Sequence, residues 1–85
     1  MIETLASKKV LKYLLGELRQ GRSGAEISIS TKIGSGTLYP TLASLEAAGW
    51  IASEWENVNP SEVGRARRRL YKLTGAGQKM MNDDT

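Results

Sequence analysis

The sequence predicts a mainly helical α+β fold of three helices, a two-stranded antiparallel β-hairpin and a short terminal helix. Apolar residues recur at spacings of three and four in the first half of the chain, as in helices that bury one face. Residues 50–56 and 67–73 instead alternate between two faces, as strands do. The 85 residues suit one domain, which we expect to span residues 1–85.

The first helix is expected to run from about Ser7, acting as its N-cap, to about Gln20. Gly21 follows and is the expected terminator, because glycine commonly ends helices. The apolar stripe of this helix comprises Val10, Leu11, Leu14, Leu15 and Leu18. The spacing therefore predicts an amphipathic helix with its lysines on the outer side.

The second helix is short and begins at Ser23-Gly24-Ala25-Glu26, which matches a capping box. It is expected to end at about Thr31. The residues expected to be buried are Ala25, Ile27, Thr31 and Ile33. Ile29 does not fit that set, so it either contacts the first helix from the side or is exposed at an interface.

The third helix is expected from Gly36 to about Ala48, with Ser35 as its cap, so residues 35–48 form one unit. Leu38, Leu42 and Leu45 share one face, and Gly49 supplies the left-handed residue that ends the helix. The opposite face carries Ser35, Thr37, Tyr39 and Ser44. A helix fixed along one stripe, with small hydroxyls and an aromatic on the other, suits binding in a DNA groove rather than catalysis.

The two alternating stretches predict an antiparallel hairpin whose connection, residues 57–66, projects as a mobile flap. Trp55 is expected on the core face as a structural residue, with Tyr71 and Leu73 opposite on the second strand. Trp50 points the other way and either covers the sheet or meets a partner. Thr74 is expected to cap a last helix from Gly75 to about Asn82. This order of elements is that of a winged helix-turn-helix.

Several stretches of the chain resemble the PadR-like family of bacterial winged-helix transcription regulators. These are residues 23–27, the segment Ser35-Gly36-Thr37-Leu38-Tyr39-Pro40, residues 45–46 and 49–51, and residues 64–77 with their arginine cluster. The resemblance implies a dimeric repressor that places its third helix in the major groove of duplex DNA. It also implies that the arginine-bearing wing lies over the adjacent backbone or minor groove.

The candidate DNA contacts combine hydroxyls and cations from the third helix, the preceding turn and the wing. They are Lys32, Ser35, Gly36, Thr37, Tyr39, Pro40, Arg65, Arg67 and Arg68. Ser35 and Thr37 could equally serve as caps, and the arginines could form cross-strand pairs with Glu54 and Glu56. Alternation places Arg69 inward, where it can pair with Glu46. Lys32 stands where the family usually has glycine, so a left-handed lysine or a differently built turn is expected.

A small domain gains stability by association, so we expect a homodimer formed by the first and last helices. The candidate interface residues are Leu11, Tyr13, Leu18, Met80 and Met81. The leucines could instead belong to the core, whereas methionines on a terminal helix have little domain left to pack against. No convergent cluster of polar groups in the sequence indicates a site for a small-molecule effector.

The composition argues against an enzyme. The sequence contains no histidine or cysteine, which excludes Ser-His and Cys-His nucleophiles and the common zinc sites, so we expect neither a metal nor a cofactor. The lack of cysteine suits a cytoplasmic protein, and no signal peptide or apolar run near the ~20 residues of a membrane span is recognisable. The net charge of +3 and the clustered arginines favour nucleic acid as partner. The alternative is a winged-helix protein-interaction module without DNA binding.

Overall fold

A computed structural model of the chain describes residues 4–83. Within that range the elements follow the predicted order, with one additional strand and one additional short helix. The elements are α1 (Leu5–Leu15), β1 (Arg22–Ser23), α2 (Gly24–Thr31), α3 (Ser35–Ala47), β2 (Ile51–Trp55), α4 (Pro60–Val63), β3 (Arg69–Leu73) and α5 (Gly75–Asp83). The prediction of a mainly helical α+β, winged helix-turn-helix fold is thereby confirmed.

Both ends of α1 differ from the prediction. Thr4, not Ser7, is the N-cap, and its side chain accepts a hydrogen bond of 3.0 Å from the Ser7 amide. The helix ends at Leu15, where the last turn tightens: the Gly16 and Glu17 amides donate to the Tyr13 and Leu14 carbonyls, three residues back. The following residues leave the helix so that β1 can pair with β3, a long-range contact that periodicity does not report.

The capping box at the start of α2 is confirmed. The Ser23 hydroxyl accepts from the Glu26 amide, and a Glu26 carboxylate oxygen accepts from the Ser23 amide, each at 3.2 Å. Lys32 ends α2 with φ of 60°, so it takes the left-handed conformation that the missing glycine implied. Ile27, Thr31 and Ile33 are buried as expected, but Ala25 is exposed and Gly24 is buried in its place.

Helix α3 lies on the core through Leu38, Leu42 and Leu45, which are 0%, 1% and 3% exposed. This confirms the predicted stripe. The predicted Ser35 cap is wrong, because Gly34 occupies the N-cap position and Ser35 is already the first helical residue. Gly49, with φ of 82°, takes the left-handed conformation predicted for it and turns the chain into β2.

The sheet has the order β1-β3-β2 and is antiparallel throughout. In its register Ile51 faces Leu73, Ser53 faces Tyr71 and Trp55 faces Arg69. The predicted core position of Trp55 is wrong, because 61% of the residue is exposed. The hairpin extends beyond the helices at that point, so alternation sends Trp55 to the correct face but past the edge of the core.

We call residues 51–73 the wing and residues 56–68 its tip. The connection over residues 57–66, for which the sequence predicts a flap, contains α4, and Asn59 caps this helix by accepting from the Ser61 amide at 3.0 Å. At the other end of the wing, Thr74 caps α5 as predicted, accepting from the Gly77 amide at 3.0 Å. The same hydroxyl donates to the Gly49 carbonyl at 2.7 Å and so joins α5 to the end of α3.

The core of the described residues is built from α1, α2, α3 and the start of the wing. Its buried apolar residues are Val10, Leu11, Leu14, Ile27, Ile33, Leu38, Leu42, Leu45, Ile51 and Leu73. Leu11 is completely buried, which confirms the alternative that it belongs to the core and corrects its place among the candidate dimer contacts. The half-buried Tyr13, Met80 and Met81 pack against this core from outside, and Leu18 is 39% exposed.

Candidate nucleic-acid interface

The outer side of α3 presents small and hydroxyl-bearing residues to solvent. Ser35, Gly36, Thr37 and Pro40 are all exposed, and Tyr39 is 50% exposed. Pro40 lies within the helix, where its ring removes one backbone donor near the first turn. Because the leucines hold the opposite side in the core, this surface is both rigid and open to a partner.

Tyr39 stands where α2, α3 and the wing meet. Its ring lies so close to Gly24 that a Cβ added there would be 2.6 Å from the phenol oxygen. The ring also borders a small cleft lined by Ser23, Arg68 and Tyr71, among others. Burial raises the pKa of Tyr71 above its ordinary value, and the nearby Glu46 acts in the same direction. Tyr39 is therefore half exposed, packs against Gly24 and shares a cleft with Arg68 of the wing.

Lys32 lies in the turn between α2 and α3 and is exposed. Its left-handed backbone lets the chain reverse within three residues, so that Ser35 can begin α3. In the part of the chain that the structure describes, the Lys32 ammonium makes no hydrogen bond or ion pair. It adds a free positive charge next to the start of α3.

Arg65 does not project freely from the wing tip. Its guanidinium donates two hydrogen bonds, of 2.6 and 3.0 Å, to the two carboxylate oxygens of Glu56. Glu56 also accepts from the Arg68 amide at 3.3 Å. The Arg65 hydrogen bonds lower the pKa of Glu56 to about 2, and the carboxylate in turn raises the pKa of Arg65. This bidentate pair neutralises one of the predicted cations.

The other two candidate arginines of the wing tip are exposed. Arg67 uses its Nε to donate to the Val58 carbonyl at 2.9 Å, which ties the two sides of the tip together. The side chain of Arg68 makes no hydrogen bond or ion pair with any residue between 4 and 83. Arg68 is thus the tip arginine whose whole guanidinium is available to an anion.

Arg69 links the wing to α3 through a chain of hydrogen bonds. Its Nε donates to the Ser53 hydroxyl at 2.9 Å, and that hydroxyl donates to a carboxylate oxygen of Glu46 at 2.7 Å. The predicted inward position is correct, but Ser53 mediates the contact with Glu46. The Arg69 guanidinium also lies over the Trp55 ring, 5.0 Å from its centroid, in a cation–π contact.

Sequence reasoning therefore missed Trp55 and Ser53 as parts of this surface, and it missed the buried Gly24 against which the Tyr39 ring packs. Ser53 and Trp55 follow Ile51 at spacings of two, so alternation places all three on the same face of β2. The sequence does not reveal how far the hairpin extends beyond α3, and this length decides which of them are covered. For Gly24 the missing signal is the contact with Tyr39, which lies fifteen residues further along the chain. The surface formed by α3, the turn before it and the wing presents hydroxyl and guanidinium groups, which can donate hydrogen bonds to phosphate.

Among residues 4–83, no helix combines the length and the apolar character needed to cross a membrane.

Residues 14–83 match the family model described as "Transcriptional regulator PadR-like family". The transcriptional regulator Rv3488 of Mycobacterium tuberculosis is 45% identical to this chain over 53 residues, which are 62% of this chain and 45% of the relative. The chain thus spans less than half the length of this curated relative.

Solved structures share the fold. The crystal structure of the S. aureus MepR–DNA complex superposes with a TM-score of 0.80 at 20% sequence identity, covering 95% of this chain and 60% of MepR. That of AbfR from Staphylococcus epidermidis has a TM-score of 0.75 at 25% identity, covering 94% of this chain and 49% of AbfR. Both matches extend over nearly all of the present chain.

Proposed function

This chain belongs to the PadR-like family of transcriptional regulators, a family of regulators and not of enzymes, and we propose that it binds duplex DNA. In this proposal residues 1–85 act as a single DNA-binding domain. Helix α3 enters the major groove, and the wing lies on the adjacent backbone or minor groove. MepR, which has the same fold, is a protein whose complex with DNA has been solved.

The arrangement of α3 carries the proposal. Three buried leucines fix one side of the helix, while Thr37 and Tyr39 stand on the exposed side next to the positively charged turn and wing. Ser35 and Gly36 begin the helix, where backbone amides favour a phosphate, and Pro40 is close enough to the helix start for a van der Waals contact with a base. The outer side of α3 offers no Arg, Asn or Gln for bidentate base contacts, so we expect backbone contacts to supply most of the affinity.

The cations divide into contacting and organising residues. We assign phosphate contacts to Lys32, Arg67 and Arg68, which are exposed. A phosphate contact by Arg65 would require one guanidinium to serve Glu56 and DNA at once. We therefore propose that Arg65 shapes the wing tip and that its neighbours meet the backbone.

We further propose that the protein is a homodimeric, cytoplasmic repressor with two copies of α3 about one helical turn apart on a palindromic site. The second copy would cover Tyr13, Leu18, Met80 and Met81, which lie on α1, α5 and the segment after α1. Small domains commonly gain the burial they lack by pairing. A promoter fusion transcribed with and without the protein tests repression, and higher transcription with the protein would contradict it.

The DNA-binding proposal is tested with Arg68→Ala, because that side chain has no partner to lose within residues 4–83. Lys79→Ala, an exposed cation on α5, is the charge-matched control. Affinity for a fluorescein-labelled duplex is measured by anisotropy over a range of salt concentrations. We expect wild-type affinity to fall steeply with salt, and R68A to reduce the slope of log K against log salt by about 1 per protomer, or about 2 for the proposed dimer. K79A should leave the slope unchanged.

Two outcomes would contradict the proposal. An affinity that barely changes with salt excludes phosphate contacts as its main source. No binding of either protein to duplex DNA at low salt favours the interaction module instead.

A further inference from the structure

Trp55 is a large apolar side chain that lies on the surface of the wing and outside the buried core. It is 61% exposed, and it follows Ile51 and Ser53 on the side of β2 that meets α3. The indole also borders an open cleft at the wing tip, lined by Pro60, Ala66 and Arg67. An exposed aromatic next to arginines is the composition of a binding surface.

The cation beside this indole is held in place. The Arg69 guanidinium lies 5.0 Å from the centre of the Trp55 ring, while its Nε is bound to Ser53. Ser53 in turn is bound to Glu46 of α3. The Nη groups of Arg69 make no hydrogen bond with any residue of the described range 4–83. The indole and the guanidinium thus form a platform that keeps a fixed position relative to α3.

We propose that this platform, Trp55 with Arg69, binds the sugar–phosphate backbone of duplex DNA beside the groove that α3 occupies. The proposal rests on the proposed DNA binding and adds a residue that carries no charge. The indole would pack against the apolar face of a deoxyribose, and Arg69 and Arg67 would meet the phosphates on either side.

The chemistry of a duplex favours this occupant over others. Bases in a duplex are stacked, so their faces are closed to an indole, and the grooves expose base edges and sugars. A deoxyribose offers a small apolar surface with a negative charge at each end, which complements an aromatic ring flanked by arginines. Two carboxylates near the platform are already engaged, because Arg65 binds Glu56 and the Ser53 hydroxyl donates to Glu46.

The chain contains two tryptophans, and this allows a direct test. Trp50→Phe leaves Trp55 as the single reporter, and Trp55→Phe leaves the half-buried Trp50, which packs against the core. Acrylamide quenching of each full-length variant is measured with and without a mixed-sequence duplex of about 20 base pairs. We expect the duplex to shield Trp55 in W50F and to leave the quenching of Trp50 in W55F unchanged.

Affinity provides the second readout. Trp55→Ala should weaken duplex binding on the order of tenfold with an unchanged salt slope, because an apolar contact is lost and no phosphate contact is. W55F, which keeps an aromatic ring, should lose less. Val63→Ala removes another exposed apolar side chain of the wing tip and is the matched control, expected to bind as wild type does. Thermal unfolding checks that W55A remains folded.

The outcomes separate this inference from the proposed function. If anisotropy shows duplex binding but Trp55 is quenched equally with and without DNA, the platform is wrong and DNA binding stands. If no duplex binds, the proposed function fails, and this inference fails with it. Stronger shielding by single-stranded DNA than by duplex would mean that the indole stacks on bases, which overturns the backbone assignment. Shielding that appears with rising protein concentration and without DNA would assign the surface to a second copy.

Discussion

At the scale of single residues, Glu56 organises the wing tip. Its carboxylate accepts two hydrogen bonds from Arg65 and one from the Arg68 amide, so a single acidic side chain joins three positions of the tip. The ionised form is the one these donors favour, and this is why the pKa of Glu56 falls to about 2. The folded structure therefore stabilises the ionised carboxylate of Glu56 relative to its protonated form.

This preference makes stability depend on pH. Since the pKa of Glu56 is lower in the folded than in the unfolded chain, its contribution is present above the ordinary value of 4.5 and is lost as the pH falls towards about 2. We expect Glu56→Gln to be less stable than wild type at neutral pH, with the difference shrinking across that acidic range. Urea unfolding at several pH values measures it. Glu54→Gln, an exposed carboxylate of β2, is the control, and equal pH profiles for E56Q and E54Q would refute the role of Glu56.

At the scale of elements, α5 is positioned by one close backbone approach. A Cβ on Gly77 would clash with the carbonyl oxygen of Trp50, which is a backbone atom and cannot move away by a side-chain rotation. Thr74 adds two hydrogen bonds at the same junction. We expect Gly77→Ala to lower the free energy of unfolding by about 2 kcal/mol through overpacking. Gly75→Ala on the same helix meets no atom within 4 Å and should leave stability unchanged or slightly raised. Urea unfolding of both variants decides, and similar midpoints would show that α5 does not depend on this contact.

Some structural elements can be predicted from local sequence patterns, and others cannot. Local signals are sufficient for the capping box at Ser23, the stripe of α3 and the left-handed Gly49, because each depends on residues a few positions apart. Pairing of β1 with β3 joins positions nearly fifty residues apart, so no periodicity reveals it. Trp55 shows the same limit at the candidate site. Alternation gives the face of a strand residue, but whether a helix covers that face depends on the tertiary structure.

At the scale of the whole molecule, internal pairing decides which part of the net charge of +3 faces a partner. The Arg22 guanidinium forms ion pairs with Glu17 and Glu26, with nitrogen–oxygen distances of 2.6 and 3.1 Å. Arg65 forms an ion pair with Glu56. The hydrogen bond to Glu17, followed by that to Glu26, raises the pKa of Arg22. These pairs fasten α2 and the wing tip, and they leave Lys32 and Arg68 exposed on the proposed DNA side.

Assembly is the last property that belongs to this scale. Leu18 is 39% exposed and lies beside Gln78 of α5, at the edge of the surface that we propose to be covered by a second copy. A lysine there would have to be desolvated in a dimer, so Leu18→Lys should raise the dimer dissociation constant by about tenfold or more. It should also weaken DNA binding, because two linked half-sites bind better than one. Ala47→Lys, at an exposed position at the end of α3 and outside the proposed interface, should change neither the fold nor the association. Sedimentation equilibrium over a range of protein concentrations measures both variants. A wild-type protein that stays monomeric, or an L18K variant that pairs as tightly as wild type, would place the contact elsewhere.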